Sequence, residues 1–372
     1  MKRFNITLIY VFSLFLFSCE IEKEIDLSHL TSTPGLVLNA VIHSEKKINE
    51  IFYSQTFTLF DTIYSRPAVD EGDYYKKQEL LYKASLIPDV NSSVYINGQL
   101  SSNVFPDMKD SITYLKDLIK PGDRVEIKAW HKEREISSSF IMPDKPEITA
   151  IDTSAFFLKK YQGHILNVWN KDMLRVWVTL QDKPGIKNYY RIFIDIESEE
   201  HIDPEFAAEN NIPEIIYTYE SGVESEDIVI TQGNPKNDSS DFDLTEFEQN
   251  IFNIFTDDLF NGQEYKLDVF TLLYPDLPHI YEFPDESWVW INEHIILRKV
   301  THTLRIQSIT EDYYNYLSTL SKATQLSWEF IEPVKVYNNI DGGCGIFGAV
   351  NEIKIKVLEQ EIKPEKFPYP WY

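Results

Sequence analysis

The chain has 372 residues, 59 acidic against 35 basic, a net charge of −24 and two cysteines. So acidic a surface repels nucleic acid and anionic lipid, while an aromatic share of 14%, with 22 Tyr and 23 Phe, argues against a disordered acidic tail and suits β-sheet faces. With so few cysteines the fold rests on its hydrophobic core, which a chain of this length supplies and commonly divides among two or three domains.

Residues 1–18 begin with Lys2 and Arg3, continue as an apolar run from Ile6 to Phe17, and lead into Ser18-Cys19, the parts of a secretory signal peptide. The run is shorter than the roughly 20 residues a spanning helix needs. Leu16-Phe17-Ser18-Cys19 resembles a bacterial lipobox, with Phe17 bulkier than usual at its position. The resemblance implies cleavage before Cys19 and diacylation of its sulfur. The alternative is cleavage near Ser18 that leaves Cys19 as a thiol. Cleavage would delete Lys2 and Arg3 and no acid, moving the body from −24 to −26. If Cys19 carries lipid, the other cysteine, Cys344, has no partner for an intramolecular disulfide. Residues 19–34 read as a lipid-anchored acidic tether, charged and turn-rich without a sustained apolar period.

From Leu36 the pattern is of short apolar runs between turns: Leu36 to Ile42, Ile51 to Leu59, Ser93 to Ile96 before Asn97-Gly98, and Arg124 to Trp130 after Pro121-Gly122-Asp123. Asn and Gly accept the positive φ that tight turns need, so the spacing predicts an immunoglobulin-like β-sandwich over residues 35–144. It ends at the proline-bracketed joint Ile141 to Pro146. Met173 to Leu180, Tyr189 to Ile196, Asp227 to Thr231 and Glu264 to Leu273 predict a second β-rich domain over 145–372, with 198–214 and 233–248 as long acidic loops. One helix is predicted near 310–329. Ser308-Ile309-Thr310-Glu311 has capping-box form, and Tyr313, Leu317, Leu320, Thr324 and Trp328 recur at helical spacing as a core stripe packed on the second sheet.

Residues that carry chemistry are scattered. None of the eight histidines lies in an HExxH or Cys-His spacing, and His294 and His302 read as surface residues on one strand face, so no metal site is expected. There is no Gly-x-Ser-x-Gly elbow and no Ser-x-x-Lys set. Asp257-Asp258 and Glu199-Glu200 read as solvated acids. The densest glycine stretch, Asn338 to Ala349, lacks the register of a nucleotide loop, so no cofactor is expected. Its glycines permit a sharp reversal or a close backbone approach, and Asn339, Gly342, Gly343, Gly345 and Phe347 form a candidate contact loop. Cys344 within it reads as a small residue in a tight turn.

Glu311 to Leu317, Pro333-Val334 and Asn339 to Ala349 resemble the closing signature of domain-of-unknown-function family 4249, lipoproteins of the Bacteroidota. Asp258-Leu259-Phe260-Asn261-Gly262 and Asn188-Tyr189-Tyr190 are similar to earlier landmarks of that family, and Cys344 stands where it commonly has Leu. The resemblance implies location and partners more than chemistry: an outer-membrane, lipid-anchored protein, at the cell surface or on the periplasmic leaflet, working beside a TonB-dependent receptor as an accessory or capture subunit. The acids after Cys19 resemble the surface-export signal of that phylum, or are simply a solvated linker. Asp61-Thr62-Ile63 and Asp110-Ser111-Ile112 resemble its O-glycan attachment sites, which makes Thr62 and Ser111 candidates for modification. The expectation is a non-catalytic binder; the rival is an envelope hydrolase with its acids in the long loops. A pocket joining several acids to a histidine would favour the hydrolase, and an exposed aromatic or glycine-lined patch the binder.

Overall fold

A computed structural model describes residues 35–56, 85–87, 89–107, 111–162, 167–233, 250–275, 280–283, 287–325 and 334–363, without the side chains of 158–171. The chain divides into two compact units, residues 1–35 with 56–83 and residues 36–55 with 84–372; of the first, only Gly35 and Thr56 are described. The second is mainly β and sandwich-like, as the turn spacing predicts. The signal segment, the tether, Cys19 and Thr62 lie outside the described residues. Among those described, no helix is long and apolar enough to cross a membrane.

Eight strands form the first half: β1 (Leu36–His43), β2 (Asn49–Gln55), β3 (Asn91–Ile96), β4 (Gln99–Leu100), β5 (Val104–Asp107), β6 (Ile112–Leu115), β7 (Arg124–His131) and β8 (Arg134–Ile141). The turns sit where the sequence puts them, with Asn97 and Gly98 at φ 51° and 80° and Gly122 at 82°. Two of these turns brace one another, since Asn97 Nδ2 donates to Asp123 Oδ1 at 2.8 Å and Arg124 N to Asn97 Oδ1 at 2.9 Å. The second half adds β9 (Glu147–Gln162), β10 (Asn167–Gln181), β11 (Tyr189–Ile202), α1 (Pro204–Asn210), β12 (Ile215–Gly222), α2 (Ile228–Thr231) and β13 (Ile254–Thr256). It continues with β14 (Glu264–Leu272), β15 (Ile280–Glu282), β16 (Trp288–Trp290), β17 (Ile295–Ile309), α3 (Glu311–Gln325) and β18 (Cys344–Ile362).

A nine-stranded sheet runs β12–β11–β17–β18–β1–β2–β6–β5, with β13 also on β11. Its central joint is parallel: β1 lies along β18 from Val37↔Cys344 to His43↔Val350, while its other pairs are antiparallel. The expected joint at 141–146 carries the chain from β8 to β9, which belong to different sheets, while β1, β2, β5 and β6 before it and β11, β12, β13, β17 and β18 after it share the nine-stranded one. Two smaller sheets cover one or other end of it. The β4–β3–β7–β8 sheet closes a core of Leu38, Ile42, Ile51, Val94, Ile127, Ile136 and Phe347. The β14–β10–β9 sheet closes a second core of Val176, Val178, Ile192, Ile194, Val269 and Ile306. Each is the product of period-2 alternation, every second side chain facing the partner sheet about 10 Å away.

Three expectations are corrected. Asp227 to Thr231 is not a strand: the Asp227 carboxylate accepts from Val229 N at 2.9 Å and Gln232 turns left-handed, which winds the apolar run into α2. Residues 198–214 are not one long loop, because β11 runs through Ile202 and α1 follows at once, capped by Asp203. Ser308 does not cap the helix; β17 continues to Ile309, and Thr310 Oγ1 accepts from Ala349 N of β18 at 3.3 Å. The helix itself, α3, lies on the sheet through Leu317 and Tyr313, against Ile254, Ile309 and Val350.

Candidate functional site

The glycine loop closes on this chain's own backbone. A Cβ on Gly345 (φ 115°) would stand 2.0 Å from Leu38 O, one on Gly343 2.5 Å from Leu36 O, and one on Gly342 2.4 Å from Glu135 O. Asn339 clamps Phe347 from both sides, accepting from its N–H and donating to its carbonyl, each at 2.9 Å, and donates also to Asp312 Oδ2 at 3.1 Å. Phe347 is buried against Phe140, ring centroids 4.7 Å apart. The Gly348 position admits no Cβ beside Tyr313, so the helix and glycine landmarks are one packed unit. Cys344 is exposed. Ser111 is only 4% exposed, at φ 55°, so its hydroxyl is not presented for O-glycosylation by the folded chain.

Two further landmarks meet in a buried carboxylate knot. Asp182 accepts from Tyr190 Oη at 2.8 Å, Asn188 Nδ2 at 3.0 Å and Gly262 N at 2.8 Å. Asp257 Oδ2 accepts from Asn188 N at 2.9 Å and Nδ2 at 3.2 Å, while its Oδ1 is buried with no partner. Burial, reinforced by the charge of Asp182, pushes the Asp257 carboxyl above its ordinary range against the pull of the Asn188 donors. Asp258 is instead at the surface with Lys187, 3.0 Å away. The knot ties the loop after β10 to the loop before β14, and the Asp182 and Asp257 oxygens that find donors are spent on this chain's own groups.

A second buried group lies where β11 crosses β17. Glu200 and Arg298 are paired at 3.1 Å with neither exposed beyond a few per cent; Arg298 also donates to Ser198 Oγ at 2.8 Å and Pro275 O at 2.7 Å. Burial raises the Glu200 carboxyl more than Ser198 and Arg298 lower it. Thus the solvated-acid reading holds for Asp258 and fails for Asp257 and Glu200, while Glu199 is half-buried beside His201, 2.8 Å away. Strand parity carried the missed signal: Ile192, Ile194, Ile196, Ser198, Glu200 and Ile202 share a face, so the acid falls in the core and needs a cation. His302 is likewise buried rather than at the surface, its Nε2 3.0 Å from Leu272 O, and burial lowers its pKa. His294 stands apart from it, in a 3-10 turn before β17, stacked on Phe206 of α1 at 3.5 Å.

At the same end the hairpin β15–β16 offers a surface. Tyr281, Phe283 and Val289 face inward onto a cluster with Ile212, Ile291 and Ile295, and Phe283 N donates to Ser287 O at 2.8 Å. Strand alternation then forces Trp288 and Trp290 outward, 55% and 57% exposed, edge to face at 5.5 Å. Among the described residues no group of three or more His, Cys, Asp or Glu is placed to hold a metal ion. The geometry offers apolar contact area with polar edges, the chemistry of recognition.

A two-sandwich body with a glycine-locked central sheet is the class the fold defines. The chain belongs to the family described as Domain of unknown function (DUF4249), whose model matches residues 20–356. No curated protein matches it. Among solved structures it is similar to the BSP domain of a biofilm-associated protein, at 8% identity and a TM-score of 0.17, covering 87% of this chain and 59% of that one.

Proposed function

We propose that this chain is a non-catalytic cell-envelope lipoprotein, held on the outer membrane by diacylated Cys19, that binds a partner protein as an accessory or capture subunit of a TonB-dependent transporter. The observation that carries the binding role is the outward pair Trp288 and Trp290 on a hairpin whose other face is packed into the core. Exposed tryptophans on a rigid support are what contact surfaces use, because they bury large area at little entropic cost. The anchor rests on the signal segment and lipobox-like Leu16 to Cys19.

Two measurements test the reading. Cys19→Ala should move the folded body from the membrane fraction to the soluble one, since stable anchoring needs two acyl chains; retention through washes that strip peripheral proteins refutes the anchor. Affinity capture from solubilised envelopes should recover a TonB-dependent receptor with the wild type and lose it with Trp288→Ala/Trp290→Ala. Hydrolysis of an envelope polymer by the purified chain would replace the binder with the enzyme.

A further inference from the structure

Strand β12 ends the nine-stranded sheet, and among the described residues nothing pairs with its outer side. Ile202 N donates to Glu214 O at 2.8 Å, and in an antiparallel ladder that bond sets the alternation. Ile216, Thr218 and Glu220 turn their backbone groups toward β11. Ile215, Tyr217, Tyr219 and Ser221 therefore aim theirs away from the sheet. Native edges are commonly guarded by lysine, proline or a bulge. None occurs in Ile215 to Gly222, which pairs with β11 in unbroken register.

The side chains of this edge are as open as its backbone. Tyr219 is 72% exposed, Tyr217 50% and Ile215 36%, all on one face of the strand. From Ile192 to Pro235 the sequence has twelve acids and neither Lys nor Arg. Arginines from β17 answer two of them, Arg298 at Glu200 and Arg305 at Asp195. The flank is strongly negative in a chain of net charge −24, so a second copy is repelled and a basic segment attracted.

We propose that β12 is a strand-addition site for an extended basic segment of a partner protein. The partner's backbone pairs with the outward N–H and C=O groups of Tyr217 and Tyr219, its apolar side chains lie along the tyrosines, and its Lys and Arg face the acidic flank. This rests on the partner-binding reading and adds to the Trp288–Trp290 surface a second contact of stated chemistry.

The test is fluorescence anisotropy with the full chain in detergent and labelled peptides of about ten residues, one alternating Lys with Val and one alternating Glu with Val. The Lys/Val peptide should bind, more weakly as salt rises, and the Glu/Val peptide should not. Tyr219→Pro removes an outward N–H and leaves the β11 ladder whole; it should weaken binding about tenfold or more at an unchanged unfolding midpoint. If that variant loses stability, Glu214→Lys/Glu220→Lys decides instead, and should weaken binding by a similar factor. Equal binding of the two peptides, or full binding by the deciding variant, overturns the proposal. Self-association of the wild type that Tyr219→Pro abolishes also overturns it, by making a second copy the occupant. An envelope partner retained by Tyr219→Pro leaves partner binding standing and removes this site; peptide binding with no envelope partner captured does the reverse.

Discussion

Replacing Gly345 by alanine tests the central joint of the fold. The new Cβ would lie 2.0 Å from Leu38 O and 2.9 Å from its carbonyl carbon, on a backbone at φ 115°. An L-residue at such a φ costs about 1–3 kcal/mol. Relieving the contact takes a retreat of roughly 1 Å, which stretches adjoining N···O distances from about 2.9 Å to well past the 3.2 Å limit of a hydrogen bond. β1 and β18 pair over seven positions, from Val37↔Cys344 to His43↔Val350, and Leu38↔Gly345 is the second. Losing the first two or three bonds at about 1 kcal/mol each brings the total to about 3–6 kcal/mol, a large part of the 5–15 kcal/mol a folded protein usually holds. Gly98→Ala is the control: φ is 80° and nothing lies within 4 Å of the added Cβ, so only strain of about 1 kcal/mol applies. Urea unfolding of the two variants, with hydrogen exchange read at β1, measures the difference. Equal midpoints for Gly345→Ala and Gly98→Ala would refute the close-approach argument.

Arg298→Ala leaves Glu200 buried without its cation and should cost about 3–5 kcal/mol, whereas Arg298→Met with Glu200→Leu should recover most of it; equal unfolding midpoints for the single and double variants would contradict this. Because the folded pKa of Asp257 is raised, the native state holds that proton to higher pH than the unfolded chain, so this group's stabilising share is present at low pH and is lost as pH rises from about 4 through the raised value. Asp257→Asn should flatten that fall, measured as the difference in urea midpoint between acid and neutral pH; an unaltered slope counts against a raised pKa. Cys344→Leu should change the free energy of urea unfolding by no more than about 0.5 kcal/mol, because the side chain is exposed; a loss of stability beyond that would place the thiol in a packed environment.

Local chemistry was legible and remote pairing was not. Asn97-Gly98 and Gly122 announce their turns because positive φ is a property of the residue itself. The glycine loop likewise announces close approach, but not that Leu36, Leu38 and Glu135 are the groups approached. Periodicity marks Leu36 to Ile42 as a strand, yet nothing in it names β18 as neighbour; Ser44 and Asn351, hydrogen-bonded at 2.8 Å, are 307 residues apart. Asp227 misled because an apolar run after a capping acid reads as strand or helix with equal ease. The surface reading of His302 failed for a related reason: its buried face is set by the sheet that covers β17, which a lone histidine does not reveal. The Trp pair was invisible until β15 and β16 were paired, since the outward face of so short a hairpin depends on which side packs.

The parallel joint also sets an order of events. β1 is among the first strands made and β18 the last, so the middle of the large sheet stays open until almost the whole chain has emerged. Closing so long a loop costs only slowly growing entropy, about 0.6 kcal/mol per doubling, but the search for a partner that distant is slow. Until β18 arrives, β1 and β17 each present a bare edge, and any chain cut short before Cys344 keeps both. The sheet therefore closes late, when β18 slots between them.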